Sequence, residues 1–333
     1  MATAPLEHRD SQVRKNTPNT EFLDVPLFDL RSQNQTVTPE IDDRIAEVLA
    51  HGQYILGPEV EQFEKALSDY VGGAHAVGVS SGRDAIIMAL MALGIRPGDA
   101  VFVPSFTFSA TAGGVVAVGA APVFVDVDSE SRNMCPRSLQ QAIDRTRKTG
   151  NLRPRAIMPV DLYGMPADYA TIRDIAEAQK LLLIADAAQS FGAIQNDKYV
   201  GTLAPVSVIS FYPTKPLGGF GDGGAVFALD EDVAEAVKRI RNHGLGGSGD
   251  QPDELGMTGR LDTLQAAVLL AKLKVFDDQL AERQKIAARY QSEISADLVH
   301  PVLPSGVRSA WAIYSVEVPG RDQVRKSLSE VGV

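Results

Sequence analysis

The sequence predicts an α/β protein: a mostly parallel central sheet covered by helices on both faces. Three observations carry that expectation. Short, nearly continuous apolar runs such as Val206–Phe211 and Leu181–Ala185 recur along the chain, as strands buried on both faces do. Between them lie longer stretches with helical apolar spacing. Glycine and proline clusters such as Pro97-Gly98-Asp99 punctuate the alternation.

Taken in order, residues 1–25 mix both charges and lack the apolar core of a signal peptide, and they are read as a mobile arm. Ile41–Ala50 is an amphipathic helix, and Pro58 suits the first position of a helix over Glu59–Val71. Ala76–Val79 reads as a strand and Asp84–Leu93 as a helix. Val101–Val103 is a strand ended by Pro104, Phe106–Val118 a buried helix, and Pro122–Val127 another strand. No charge interrupts Ala100–Val125, a length that could span a bilayer. Pro104, Pro122 and three glycines break it instead into strand, helix and strand inside a core. Strands Ala156–Val160 and Leu181–Ala185 bracket a helix at Tyr169–Gln179, and Val206–Phe211 and Ala225–Leu229 are further strands. Glu231–Asn242 is helical, His243–Glu254 a polar, glycine-rich loop, and Leu261–Tyr290 one long helix. The tail offers a strand at Ala312–Val318 and a helix at Arg321–Glu330. This pattern predicts a large ligand-binding domain over 26–255, a connecting helix over 256–292 and part of a small C-terminal domain over 293–333. Two elements cannot bury an independent core.

Composition narrows the function. Of 333 residues, 44% are apolar and 22% charged, which is ordinary globular usage. The net charge of −10 disfavours nucleic acid as a partner. One cysteine, Cys135, suits a reducing cytosol.

Three stretches carry chemistry. In Ser210-Phe-Tyr-Pro-Thr-Lys215 a lysine follows the C-terminal end of a core strand, and five glycines crowd the residues after it. Ligands bind at that end of open α/β sheets. A lysine in such a crevice can lose its proton and form a Schiff base, although a solvated surface charge is the alternative. Asp186 closes an apolar strand, so its carboxylate is buried and needs a partner. A helix cap or a protonated ring nitrogen would serve equally. In Ser80-Ser81-Gly82-Arg83-Asp84 a turn opens a helix whose free amides suit a phosphate; an ordinary capped turn reads the same way. Together the three suit a ligand with an aldehyde, a ring nitrogen and a phosphate, which describes pyridoxal phosphate.

Further motifs accompany these residues: Gly57-Pro-Glu-Val60, Pro104-Ser-Phe-Thr-Phe108, Asp186-Ala-Ala-Gln189, Gly221-Asp-Gly-Gly224, Arg241-Asn-His-Gly244 and Arg260-Leu-Asp-Thr-Leu-Gln-Ala-Ala267. With them the chain resembles the DegT/DnrJ/EryC1/StrS aminotransferases from Pro26 to Val333. The resemblance implies the type I fold of pyridoxal-phosphate enzymes, like aspartate aminotransferase, with a small C-terminal domain that is incomplete here, because family chains continue further. It also implies roles. Lys215 would hold the cofactor and shuttle a proton, and Asp186 would pair with its ring nitrogen. Gln189 and Phe108 would lie against the ring. Ser81, Gly82, Arg83 and Ser210 would hold the phosphate. Asn242, Thr258 and Arg260 would reach the site of a second subunit in a homodimer, with Arg260 and Tyr212 toward substrate. Two positions depart from the family pattern: Arg83 stands where Thr is usual, and Thr258 where Asn is usual. The family implies an amino group moved from L-glutamate to a nucleotide-linked keto-sugar in the cytoplasm, with no metal, membrane or nucleic acid involved. Gly52–Val60, Lys215-Pro-Leu-Gly and Arg260–Gln265 look most like the members that aminate UDP-2-acetamido-2-deoxy-3-keto-hexuronate for surface polysaccharide. Alternatives are dTDP- or GDP-4-keto-6-deoxyhexoses, or a non-catalytic relative of the fold. Relatives that dehydrate sugars carry histidine at the lysine position, so Lys215 argues against that chemistry.

Overall fold

The computed structural model describes residues 24–246 and 251–333. The expected arm, up to residue 23, and the middle of the polar loop, 247–250, lie outside them. In chain order the helices and strands are α1 (Leu30–Asn34), α2 (Thr38–His51), α3 (Pro58–Val71), β1 (His75–Val79), α4 (Gly82–Ala92), β2 (Asp99–Pro104), α5 (Ala110–Ala117), β3 (Ala121–Val125), α6 (Pro136–Thr149), β4 (Arg153–Ile157), α7 (Tyr169–Gln179) and β5 (Leu182–Asp186). There follow β6 (Ile194–Gln195), β7 (Lys198–Tyr199), β8 (Val206–Ser210), β9 (Gly224–Ala228), α8 (Glu231–Arg241), α9 (Thr263–Lys274), α10 (Phe276–Glu293), β10 (Val307–Arg308) and α11 (Arg321–Glu330).

Leu30–Glu317 forms one compact unit. Among the described residues, a second, small unit joins 24–29 with Val318–Val333. Within it α11 is followed by a carbonyl at Gly332 that accepts from the Val25 amide at 2.8 Å.

Seven strands make the main sheet in the order β1-β9-β8-β5-β4-β2-β3. Pairings from β8 through β3 are parallel, and β9 alone runs against its two neighbours. Successive side chains of a strand point to opposite faces, and the core divides accordingly. Phe102, Ala185, Ile209 and Phe227 pack with Phe63, Leu139, Ile172 and Leu269 of α3, α6, α7 and α9. Val101, Ile184, Val208 and Val226 pack with Ile86, Val115 and Val237 of α4, α5 and α8. The consequence for function is geometric: β1, β2, β4, β5 and β8 all end at one edge, where β9 begins.

Five expectations need correction. The long helix Leu261–Tyr290 is broken at Val275 (φ −105°, ψ 7°) into α9 and α10. Asp277 and Asp278 open α10, as suits a helix N-terminus. The strand expected at Ala312–Val318 does not form: the amides of Ala310 and Ile313 bond the carbonyls of Gly164 and Tyr163, and Trp311 takes a positive φ of 46°. What remains there is a single bridge between Glu317 and Val299. The buried helix from Phe106 begins only at Ala110, and Phe106 and Phe108 are exposed. The strand from Pro122 ends at Val125, and the one expected at Ala156–Val160 is shifted to Arg153–Ile157.

Candidate active site

The strand ends converge on a cavity of about 920 Å³. Its floor at the β1–α4 turn is built from backbone. Ser81 caps α4, its hydroxyl accepting from the Asp84 amide at 3.0 Å. The Ser81 carbonyl takes the Ala85 amide. This leaves the amides of Gly82 and Arg83 as first-turn donors at the helix end that attracts anions. Asp84, which would oppose an anion, is engaged by the Ser80 hydroxyl at 2.6 Å. Two glycines make this close packing possible. A Cβ on Gly82 would sit 2.6 Å from Cβ of Ser210, and one on Gly224 would sit 2.6 Å from the Ser81 carbonyl. The Ser210 hydroxyl is thereby held against the turn. Arg83 reaches past Gly113 of α5, where a Cβ would lie 3.8 Å from its guanidinium.

The opposite chemistry gathers at the end of β5. Asp186 is 4% exposed. Its Oδ2 accepts from the Thr111 hydroxyl at 2.7 Å, and its Oδ1 from the Ala188 amide at 3.3 Å. Burial pushes its carboxyl up, while Thr111, Ala188 and the positive charge of Lys215 pull it back. Lys215, whose own amide bonds the Tyr212 carbonyl at 2.8 Å, is pushed down by burial and held up by Asp186. Each group thus favours its neutral form by burial and its charged form through the other.

Behind Asp186 lies a second acid. Asp161 is fully buried and accepts from the Tyr169 hydroxyl (2.7 Å), the Ser190 hydroxyl (2.7 Å) and the Ala167 amide (2.9 Å). Burial raises it to about 6, with the charge of Asp186 adding to the rise. Its amide bonds the Asp186 carbonyl at 3.0 Å, which ties the two loops together.

Gln189 lines the cavity, its Oε1 accepting from the Tyr163 amide at 2.8 Å. Tyr163 has a φ of 59°, a conformation rare for a bulky residue. Phe108 lines the cavity at its lip and is 69% exposed. Thr258, Arg260 and Tyr212 line the same cavity. A short backbone ladder places that segment: the Ser80 amide bonds the Gly259 carbonyl at 3.0 Å, and Arg260 bridges to Val79. Asn242 is not among the lining residues; its Oδ1 accepts from Arg260 at 3.0 Å and steers the guanidinium. The Thr258 hydroxyl lies 3.3 Å from His243 Nε2.

Three contributors have no signal in isolation. Thr111 and Asp161 sit in apolar surroundings, where a hydroxyl or an acid has to find a distant partner. Gln265, within the Arg260–Ala267 motif, accepts from the Phe220 amide at 2.8 Å and so pins the glycine loop.

The arrangement fits pyridoxal phosphate. A glycine-gapped helix N-terminus with a hydroxyl suits the phosphate, a sealed carboxylate suits a pyridinium, and a half-buried lysine suits an aldehyde.

Known proteins agree with this chemistry. The sequence matches the DegT/DnrJ/EryC1/StrS aminotransferase family over residues 35–333. It is 42% identical over 310 residues to UDP-2-acetamido-2-deoxy-3-oxo-D-glucuronate aminotransferase of Pseudomonas aeruginosa, covering 93% of this chain and 84% of that one. A crystal structure of a DegT DnrJ EryC1 StrS aminotransferase from Brucella abortus has a TM-score of 0.91 at 46% identity, covering 93% of this chain and 83% of the other. NtdA of Bacillus subtilis, solved with bound cofactor PMP, has a TM-score of 0.84 at 31% identity, covering 95% and 72%.

Proposed function

This chain belongs to the DegT/DnrJ/EryC1/StrS aminotransferase family, and we propose that it moves an amino group from L-glutamate to a nucleotide-linked keto-sugar, UDP-2-acetamido-2-deoxy-3-keto-hexuronate. The observation that carries the reading is that Lys215, Asp186 and the N-terminus of α4 open into one cavity. The cofactor is pyridoxal phosphate, which supplies an aldehyde for amines and a ring that accepts the electron pair released at the donor carbon.

The chain's own residues do the rest. Gly82 and Arg83 amides, the Ser210 hydroxyl and the Arg83 guanidinium bind the phosphate. Asp186 holds a proton on the ring nitrogen, where its carboxylate is worth most because water is excluded. Phe108 and Gln189 confine the ring. Burial lowers the Lys215 ammonium, so Nζ can be neutral and take the proton from the α-carbon of the amino donor. Arg260, steered by Asn242, would hold the sugar carboxylate, since a guanidinium pairs with it in bidentate fashion. Tyr212, whose carbonyl accepts from the Lys215 amide, would contact the substrate.

A second copy of the chain completes the pocket. Ile55, Phe108 and Tyr212 line the cavity and are exposed, so a homodimer that covers them would exclude water. Among the described residues no helix is long and apolar enough to cross a membrane. The substrate reading is tested by comparing Arg260→Ala with wild type on acidic and neutral keto-sugar nucleotides. A loss confined to the acidic sugar supports the assignment; equal losses on both reject it.

A further inference from the structure

We propose that Thr111 is a positioning residue: with Thr107 it forms a directed chain of two hydroxyls that fixes Asp186 as a carboxylate toward the cofactor nitrogen. The inference rests on the reading that Asp186 pairs with that nitrogen.

Thr111 lies near the start of α5 and is 1% exposed. The rest of the helix, Ala-Thr-Ala-Gly-Gly-Val-Val-Ala, is apolar. A valine would fill the same volume, so packing does not call for the hydroxyl. That hydroxyl stands 2.7 Å from Asp186 Oδ2 and 3.0 Å from Thr107 Oγ1. A hydroxyl has one proton to give. An ionised carboxylate only accepts, so the Thr111 proton points at Asp186, and Thr107 must then donate to Thr111. The chain has one polarity when Asp186 is charged, and it can reverse only when a proton sits on Oδ2. A cofactor with a protonated ring nitrogen selects the first polarity, because it too needs Asp186 as an acceptor. Thr107, Thr111 and Asp186 all line the cavity, so the chain runs along the pocket wall to the acid.

Without the Thr111 hydroxyl, burial would set the state of Asp186 with less opposition. The other groups that face it are the Lys215 ammonium, the carboxylate of Asp161 and, through Asp161, the Tyr169 phenol. Substitutions at Thr111 leave all three in place, so a change in pH behaviour reports the hydroxyl alone. A hydrogen bond to a charged group accounts for roughly a ten- to hundredfold change in an equilibrium.

The test is equilibrium binding of pyridoxal phosphate as a function of pH, with the absorbance of the bound cofactor titrated in parallel. Wild type, Thr111→Val, Thr111→Ser, Thr107→Val and Asp186→Asn are compared. Thr111→Val should bind roughly ten- to a hundredfold more weakly, and the acidic limb of its binding curve should move up by about one unit. Thr111→Ser should restore wild-type behaviour, and Thr107→Val should shift the limb in the same direction by less. Added to Asp186→Asn, Thr111→Val should cost nothing further, because it acts only through that carboxylate. An unmoved limb in Thr111→Val, equal losses in the Val and Ser variants, or additive losses in the double variant would each overturn the proposal. If Thr111→Val does not fold, the limb of Thr107→Val decides the matter alone. Wild-type affinity in Asp186→Asn would instead sink the nitrogen reading itself, a separate failure.

Discussion

The two ends of the cavity are made of different materials. At the α4 end the ligand meets backbone amides, the Ser210 hydroxyl, the Arg83 guanidinium and the space left by missing side chains. At the β5 end it meets a carboxylate backed by Thr111, Asp161, Tyr169 and Ser190. The first end is largely a matter of shape, and no buried acid takes part in it. The second is electrostatic, and its behaviour depends on which protons the buried groups hold. A protein can thus grip a dianion with geometry while it tunes a ring nitrogen with charge.

Substitutions should separate the two ends. The largest effect is expected from Asp186→Asn, which should lower turnover by roughly 10²–10³ and change its pH profile while the apo protein stays folded; steady-state rates across pH check this. Next is Gly82→Ala, whose methyl would press on Ser210. It should weaken pyridoxal phosphate by roughly a hundredfold without a change in pH profile, as binding isotherms at two pH values would show. Ser210→Ala should cost about tenfold in cofactor affinity, again evenly across pH, by the same isotherms. A pH-dependent loss at either α4-end position would break the comparison.

The smallest effect on turnover is expected at Asp161, and it concerns stability. The folded state holds its carboxyl near 6 against an ordinary 3.8. Between those values the folded chain keeps a proton that the unfolded chain has released, so this group's contribution to stability falls as pH rises through the window and levels off above it. Asp161→Asn keeps an acceptor for Tyr169 and Ala167 and can donate to Ser190. Thermal unfolding of the apo protein should therefore lose part of its slope between about pH 4 and pH 6.

Much of this was legible in the sequence where chemistry is local. The helices at Tyr169–Gln179 and Arg321–Glu330 follow from apolar spacing and flanking turns. Lys215 and Asp186 stand out because each follows a core strand. What depends on distant contacts was less legible. The apolar pattern runs through Val275 without a break, yet α10 turns there to bring Phe276 and Leu280 against Gly192, where a Cβ would lie 2.5 Å from Leu280. The residues from Ala312 have strand propensity, but their backbone is spent on Tyr163 and Gly164. A Cβ on Gly164, which has a φ of 100°, would press on the Trp311 amide at 2.8 Å. The hairpin β6–β7 is signalled by Asn196-Asp197, both at positive φ as in a type I′ turn, and α6 by the spacing of Leu139, Ala142, Ile143 and Thr146. Those two signals are local but lie among polar residues. The reversed direction of β9 leaves no mark on its apolar run. Thr111 acquires its meaning only from Asp186, 75 residues away.

The central claim is that Lys215 and Asp186 make this cavity a transaminating site. The most direct measurement is the absorbance spectrum of the purified protein with pyridoxal phosphate, before and after L-glutamate, for wild type and Lys215→Ala. Wild type should show a visible band that L-glutamate converts to the pyridoxamine form, and the variant should lack that band and fail to turn over. A wild type without the band, or a variant that still cycles, would contradict the account.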